Sequence, residues 1–174
     1  GRIDEAIRRY YESLRIRPNF ADAHNNLGVA LDKQGHIEEA IGHYLEALRI
    51  KPDYVDAHYN LGTALAEQDR IDEAIGHLLE VLSIKPDHVA AHYNLGTALA
   101  KKGRIDEAIA HFRDALRIKP DYLDAYNNLG IALYRKGDIE GAIEQFREAL
   151  RINPKHVRVK NNLKKALLIQ DQSQ

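Results

Sequence analysis

The sequence predicts an all-α protein built from antiparallel helix pairs, and two observations carry this prediction. The first is a strict period of 34 residues, which all five prolines of the chain follow: Pro18, Pro52, Pro86, Pro120 and Pro154. The second is that each period contains two stretches with apolar residues at helical spacing. A fixed period of this length indicates an array of copied repeats. We therefore expect function to reside in an extended surface rather than in a catalytic pocket.

The repeats follow one another without gaps. We expect residues 1–20 to form the second helix of a truncated repeat, beginning at Arg2. Residues 157–174 should form a first helix, from Val157 to Gln170, followed by a short polar tail. Four full repeats lie between them: residues 21–54, 55–88, 89–122 and 123–156.

The sequence of each full repeat predicts a first helix, a turn, a second helix and a second turn. The first turn contains a residue suited to the left-handed conformation that ends a helix, namely Gly35, Asp69, Gly103 and Gly137. The second turn contains the proline, which ends the second helix. We expect the aspartate after it to cap the next helix through its carboxylate, and these residues are Asp53, Asp87 and Asp121.

Glycine recurs in the middle of the first helix of every full repeat, at Gly28, Gly62, Gly96 and Gly130. Mid-helix glycine costs about 1 kcal/mol relative to alanine, so the repeated cost predicts that a neighbour needs the space. We expect this neighbour to be the backbone of an adjacent helix. An alanine series predicts the matching contact on the second helices: Ala6, Ala40, Ala74, Ala108 and Ala142.

The chain composition is that of a soluble globular protein. Hydrophobic residues make up 44% of the chain and charged residues 29%, which allows a continuous core. There is no cysteine, so disulfides and thiolate metal sites are excluded. The 25 Lys and Arg nearly balance the 26 Asp and Glu, which argues against a nucleic acid partner. No apolar run reaches the ~20 residues of a membrane span. We expect no membrane partner and an intracellular location, although the sequence does not specify a compartment.

These positions together resemble the tetratricopeptide repeat (TPR), a 34-residue motif. The motif has an aromatic-like position, Leu-Gly, a small residue, an aromatic residue and a closing proline. In the first full repeat these are His24, Leu27, Gly28, Ala40, Tyr44, Ala47 and Pro52. The resemblance covers the whole chain and implies an all-α, right-handed TPR solenoid. In this family the first helices line the inner wall of the superhelix.

The resemblance also implies which residues line the groove. Position 6 of the first helix is asparagine in every copy: Asn26, Asn60, Asn94, Asn128 and Asn162. We call this set the asparagine ladder. It is similar to a ladder in the O-GlcNAc transferase members of the family, which holds the backbone of extended peptides through amides that both donate and accept. An alternative is that these asparagines hydrogen-bond neighbouring helices and fix the superhelical twist.

Further candidate peptide-binding residues occupy other groove positions: Asn25, Tyr59, Tyr93, Lys101, Asn127, Tyr134, Arg135 and Arg158. The tyrosines either contact a ligand or pack against the adjacent repeat.

The groove positions also differ in charge along the chain. The first two full repeats have Asp22, Asp32, Asp56 and Glu67 against Lys33, and the later helices have Lys101, Arg135, Arg158 and Lys165 against Asp124. This predicts a ligand that is basic toward the N-terminal repeats and acidic toward Arg158. A solvated surface with chance clustering is the alternative.

No residue pattern predicts catalysis, a cofactor or a metal site. His24, His58 and His92 occupy the aromatic-like position once per repeat. Helices packed ~8 to 10 Å apart would keep them too far apart to share zinc, which binds nitrogen at ~2.0 to 2.1 Å. We interpret them as core residues. His88 and His92 share a helix face, but no third ligand is evident.

The two ends differ in character. In the last helix, Lys160 and Lys164 replace the aromatic-like and glycine positions, which predicts a polar capping face with no repeat after it. The first helix lacks its partner, which leaves some of its apolar residues Ile3, Ile7, Tyr10 and Leu14 short of cover. This predicts upstream repeats in a parent protein or end-to-end self-association.

We therefore expect a non-enzymatic scaffold that binds an extended protein or peptide segment in its groove. One alternative is a substrate-recruiting array of a larger, glycosyltransferase-like enzyme. Another is a self-assembly module that stacks through its open N-terminal end.

Overall fold

The computed structural model describes residues 1–172, which form helices joined by short turns. These described residues contain ten helices and no strand, which confirms the all-α repeat fold. The helices are α1 (Arg2–Ile16), α2 (Ala21–Asp32), α3 (Ile37–Ile50), α4 (Val55–Glu67), α5 (Ile71–Ile84), α6 (Val89–Lys101), α7 (Ile105–Ile118), α8 (Leu123–Lys136), α9 (Ile139–Ile152) and α10 (Val157–Gln172). The end of the predicted polar tail, at residues 173 and 174, lies outside the described part. Among residues 1–172 there is no candidate for a membrane-spanning helix.

The chain divides into two compact units after Pro86. The N-terminal unit contains α1 to α5, and the C-terminal unit contains α6 to α10. Within each unit every helix packs against its neighbours in sequence. The first helices of successive repeats also contact each other, as α2 does with α4, and α8 does with α6 and α10.

The N-terminal unit has a core made by the apolar faces of α2, α3 and α4. Its largest side chains are buried and contact one another: Leu27, Leu31, Tyr44, Leu61 and Leu65. The two leucines of each first helix lie four residues apart, so one face of the helix is removed from water.

Helix α1 covers this core only in part. It contains no buried residue, although Ile7, Tyr10 and Leu14 pack against the core with part of their surface. Ile3 and Ile16 are 39% and 74% exposed. End-to-end association through this helix stays a prediction.

The C-terminal unit repeats the pattern with phenylalanine in place of Tyr44. Phe112 in α7 and Phe146 in α9 are almost fully buried, at 1% and 2% exposure. Both rings pack against first helices, where Leu95, Leu99 and Leu129 complete the core. Small alanines on every helix of this unit are buried beside them, which lets the helices approach closely.

The mid-helix glycines make room mainly for a side chain of the second helix, which is an aromatic ring at Gly28, Gly96 and Gly130 and Leu78 at Gly62. A Cβ added at Gly28 would lie 2.6 Å from the Tyr44 ring, and one at Gly130 would lie 2.6 Å from the Phe146 ring. The prediction of a neighbouring backbone is correct in part, because the Ala74 and Ala108 carbonyl oxygens would lie 3.3 and 3.2 Å from a Cβ added at Gly62 and Gly96. At all four glycines a side chain is closer still, because the second helix directs a large side chain across the interface, into the gap where the first helix has none.

The turns between the paired helices follow the prediction. Gly35, Gly103 and Gly137 have φ of 83°, 75° and 89°, and Asp69 has φ of 59°. Asparagine and aspartate adopt this left-handed region more readily than other non-glycine residues, which explains how Asp69 replaces glycine.

The predicted aspartate caps were wrong. Helices α4, α6 and α8 begin after Tyr54, His88 and Tyr122, one residue beyond each aspartate. Asp53 instead lies inside a turn, in which the Tyr54 N–H donates to the Lys51 carbonyl over 3.2 Å.

Candidate functional site

The first helices form the more closely packed side of each unit. In the C-terminal unit α8 contacts both α6 and α10, whereas the α-carbons of α7 and α9 come nowhere within 8 Å of each other in the described part of the chain. The surface of α6, α8 and α10 is therefore the concave face of this unit. It is the face on which the sequence predicts a peptide.

Two adjoining pockets open on this face, and together we call them the C-terminal groove. One is lined by Ile131, Tyr134, Phe146, Asn162 and Lys165. The other is lined by Thr97, Ala100, Lys101, Phe112, Asn128, Ile131, Ala132 and Arg135. The fold thus brings together five of the predicted binding residues: Lys101, Asn128, Tyr134, Arg135 and Asn162.

The floor of the groove is apolar. Phe112 and Phe146 reach it from the second helices because Gly96 and Gly130 leave the first helices without a side chain there. Ile131 lies between the two pockets and lines both of them. Each pocket can therefore receive an apolar side chain of a bound segment.

Cationic groups stand at the rim of the groove. Lys101, Arg135 and Lys165 are exposed lining residues. The Arg135 guanidinium also donates to the Ala100 carbonyl over 3.3 Å, which holds it along the groove wall. Further along α10, Arg158 lies 3.8 Å from the Asp124 carboxylate, so Asp124 partly neutralises it.

The asparagine ladder forms hydrogen bonds between neighbouring repeats. In the N-terminal unit the Asn60 amide donates to Asn25 Oδ1 over 3.0 Å. In the C-terminal unit the Asn128 amide donates to the Tyr93 hydroxyl over 3.1 Å, and the Asn162 amide to Asn127 Oδ1 over 2.9 Å. Asn60, Asn128 and Asn162 therefore hydrogen-bond neighbouring helices, which is the alternative role that the sequence analysis left open. An amide nitrogen carries two hydrogens, so each of these bonds uses only one of them.

The other predicted asparagines differ in accessibility. Asn25 and Asn127 are only 4% and 0% exposed, so the prediction that they contact a ligand needs correction: they support the ladder from beneath. They are buried because each side chain lies against the next first helix, where its Oδ1 accepts the hydrogen bond of Asn60 or Asn162. Asn94 is half-buried, and Asn26, in the first of the first helices, is exposed.

The predicted tyrosines have different environments. Tyr93 packs against Tyr122 with ring centroids 4.9 Å apart, and its half-buried position raises the pKa of its hydroxyl. Tyr59 is also half-buried. Tyr134 is 37% exposed and lines the groove, so it presents the most accessible ring of the three.

The corresponding face of the N-terminal unit has the opposite charge. Asp22, Asp56 and Glu67 are exposed, with Lys33 as the cation among these positions. Asp32 is half-buried, and burial raises the pKa of its carboxyl group.

Sequence reasoning missed a second set of histidines, His43, His77 and His111, one on each of α3, α5 and α7. Each faces the histidine at the aromatic-like position of its own repeat. The Nδ1 atoms are 3.0 Å apart in His24–His43 and His58–His77, and 3.1 Å apart in His92–His111. His24, His58 and His92 are buried, which confirms their interpretation as core residues. The helix-spacing argument compared these three histidines in different repeats and did not consider a partner within one repeat, where two side chains from opposite helices span the gap. A signal was present, since a spacing of 19 residues between histidines recurs in three repeats.

The hydrogen bonds of these pairs determine their tautomers. His24 Nε2 lies 2.9 Å from the Pro18 carbonyl, and His58 Nε2 lies 2.9 Å from the Pro52 carbonyl. A carbonyl oxygen only accepts, so these Nε2 atoms carry the proton and the Nδ1 atoms accept from the partner ring. Burial, followed by the facing histidine, lowers the pKa of His43, His77 and His111. His88 has a different role, because its Nδ1 accepts the Ala91 N–H over 3.1 Å and so caps α6.

Comparison with known families identifies the repeat. A model described as "Tetratricopeptide repeat" matches residues 53–121 and 89–155, and one described as "TPR repeat" matches residues 1–35 and 33–69. No curated protein sequence matches the chain.

Solved structures with the same fold include three relevant examples. One is YrrB, described as a TPR protein with an unusual peptide-binding site, with a TM-score of 0.85, 26% identity, and coverage of 94% of this chain and 84% of YrrB. Another is MamA, with a TM-score of 0.84 and 28% identity. The match covers 90% of this chain and 91% of MamA. The third is MamA 41-end from Desulfovibrio magneticus RS-1, with a TM-score of 0.84 and 24% identity. The match covers 90% of this chain and 89% of that one.

Proposed function

The chain belongs to the tetratricopeptide repeat family, and from this membership we propose that it is a scaffold that binds an extended segment of a partner protein along its first helices. The C-terminal groove is the proposed site, and the proposed ligand is an acidic segment with spaced apolar residues. The observation that carries the proposal is the convergence of ladder asparagines, exposed cations and an apolar floor in two adjoining pockets. The proposal assigns no catalytic role to the chain.

The groove offers each type of contact that an extended peptide needs. Phe112, Ile131 and Phe146 supply apolar surface for alternate side chains, which point to the same face of an extended chain. Asn128 and Asn162 each retain amide hydrogen-bonding capacity for a peptide backbone beyond the bond to their neighbour. YrrB, whose fold is similar, is itself described as having a peptide-binding site, which supports this class of ligand.

The charges select the chemistry of the ligand. Lys101, Arg135 and Lys165 would attract carboxylates, mainly by steering the encounter and by disfavouring basic segments. Three adjoining first helices, each ~10 Å across, present a face about 30 Å long, which matches roughly nine residues of an extended chain at ~3.3 Å per residue. The proposed ligand is therefore a segment of about this length.

The test uses the full chain and two fluorescent peptide libraries of about nine residues, the length given above. One library alternates Glu or Asp with apolar residues, and the other carries Lys or Arg at the acidic positions. We expect the acidic library to bind more tightly, with an affinity that falls as salt is added. Fluorescence anisotropy at low and high salt measures both effects.

A charge-reversed variant localises the binding. We expect K101E with R135E to weaken the acidic library at least about tenfold, since each close charge pair contributes on the order of 1 kcal/mol or more. R113E with R147E changes the net charge equally on the exposed surface of α7 and α9, and serves as the matched control. Equal weakening by both variants, or equal affinity for both libraries, would contradict the proposed site.

A further inference from the structure

The third histidine pair has a carboxylate within reach. The Nδ1 atoms of His92 and His111 are 3.1 Å apart, and Asp114 Oδ2 lies 4.0 Å from His92 Nδ1. The three ligand atoms all lie within 4.8 Å of one another, which no other group of three such residues achieves among the described residues. None of the three residues lines the C-terminal groove, so the peptide-binding proposal leaves this cluster unexplained.

The separation of the two nitrogens suits a shared metal ion. Two nitrogens bound at ~2.05 Å to one zinc ion with tetrahedral angles lie about 3.3 Å apart. The observed 3.1 Å therefore requires a change of only a few tenths of an ångström. The helices hold both rings in this position before any ion arrives, so little side-chain ordering would oppose binding.

The carboxylate can complete the set by rotating. Asp114 is 40% exposed, and its contact with the Arg117 guanidinium is a 3.3 Å surface pair, a type that contributes little to stability. The equivalent carboxylate of the first full repeat, Glu46, is held more firmly, because two nitrogens of Arg49 donate to it over 2.7 and 2.9 Å. The third full repeat therefore has the more available carboxylate.

The neighbouring pairs show how such rings are oriented for a metal. In the first two full repeats the Nε2–H of the buried histidine donates to a backbone carbonyl, at Pro18 and at Pro52, and this leaves Nδ1 as the acceptor. A ligand histidine commonly uses its second nitrogen in this way, which fixes its tautomer and ring plane. For an ion to bind between His92 and His111, the ring that carries its proton on Nδ1 moves that proton to Nε2. Both rings then bind as neutral imidazoles.

We propose that His92, His111 and Asp114 form a binding site for a divalent transition metal ion, with zinc as the expected ion. His92 Nδ1, His111 Nδ1 and one Asp114 oxygen are the protein ligands, and water takes the fourth position of a tetrahedral site. The ion enters from the α7 side, where His111 and Asp114 are half-buried, while His92 is only 9% exposed. The ion joins α6 to α7 and stabilises the folded C-terminal unit by binding the native state.

The test titrates the full chain, freed of metal by a chelator and made without a polyhistidine tag, with Co²⁺ and then with Zn²⁺. We expect visible absorption typical of tetrahedral Co²⁺, its loss when Zn²⁺ is added, and a rise in the melting temperature with Zn²⁺. The tightest site should be lost in H92Y with H111Q. This double change copies Tyr126 and Gln145, which occupy the same positions in the fourth repeat.

Two further variants make the assignment specific. H58Y with H77Q removes a pair that has no carboxylate in the metal-binding group, and we expect it to retain the tightest site. D114N changes a partly exposed side chain without disturbing the core, and we expect it to weaken binding at least about tenfold, the smallest loss expected even for outer partners of a metal site. Failure of the unaltered chain to take up Co²⁺ or Zn²⁺ would overturn the proposal. So would unchanged affinity in D114N, or loss of the tightest site in H58Y with H77Q alone.

Discussion

Among single residues, Gly130 decides how closely α8 and α9 pack. A Cβ at this position would lie 2.6 Å from the Phe146 ring, and the ring has no room to move in a core where it is 2% exposed. We expect Gly130→Ala to lower the free energy of unfolding by about 1 to 3 kcal/mol, the usual effect of overpacking. Urea unfolding followed by circular dichroism measures the change.

An exposed helical glycine gives the matched control. Gly76 lies in α5 with no atom within 4 Å of an added Cβ. Gly76→Ala should therefore raise the free energy of unfolding by about 0.5 to 1 kcal/mol, because alanine favours the helix. The two substitutions should change the free energy of unfolding in opposite directions. An equal decrease in both variants would contradict the packing role given to Gly130.

A second prediction at this scale concerns pH and His43. Burial and the facing His24 lower its pKa below the usual 6.5, while the carboxylates of Glu39 and Glu46 act in the opposite direction. The Tyr11 ring also packs against it, with centroids 6.0 Å apart. The folded state thus binds fewer protons at His43 than the unfolded state does. Its contribution to stability is present above pH 6.5 and is lost as the pH falls through the lowered pKa.

A glutamine at this position should reduce that pH dependence. We expect His43→Gln to make the fall in unfolding free energy between about pH 7 and pH 5 shallower. Unfolding curves in metal-free buffer at each pH measure the slope. Parallel curves for His43→Gln and the unaltered chain would refute this prediction.

Between helices, buried amides fix how first helices align. Asn127 is fully buried in α8, accepts from the Asn162 amide and donates to Asn128 Oδ1 over 3.2 Å. We expect Asn127→Ala to cost about 1 to 3 kcal/mol of unfolding free energy, because it leaves both partners without this bond. Asn26→Ala removes an exposed amide and should change stability by less than about 0.5 kcal/mol. Thermal unfolding of the two variants compares them, and similar melting temperatures would refute the role of Asn127.

The helices themselves could be predicted from the sequence, whereas several of their contacts could not. The recurring prolines and the left-handed positions Gly103 and Asp69 place the turns, because these residues act on the local backbone. The partner of a side chain depends instead on the geometry between two helices. The Asn162 amide finds Asn127, which lies 35 residues earlier, and no local rule of sequence specifies this pairing.

The residues of the candidate site that lie on first helices could be predicted from the sequence, whereas the contribution of a second helix could not. Helical periodicity placed Lys101, Asn128 and Arg135 on one face, and the structure has all three in one pocket. The role of Phe112 as part of the floor was not predicted, because it belongs to a second helix and reaches the pocket only through the gap at Gly96.

For the molecule as a whole, each compact unit has its own buried core. We expect Gly130→Ala to raise amide hydrogen exchange in α8 and α9 more than in α2 and α3, since stability in repeat proteins is set by neighbouring repeats. Exchange followed by mass spectrometry resolves the helices separately. A uniform rise along the chain would show that the protein opens only as one cooperative body.

The exclusively local packing within each unit has a consequence for synthesis in the cell. In the described chain each helix of a unit contacts only the helices next to it or one beyond, and domains with such local contacts fold within about milliseconds. Residues 87–174 take roughly 4 to 18 s to translate at ~5 to 20 residues per second. The N-terminal unit therefore has time to reach its folded state while the ribosome is still adding the C-terminal one.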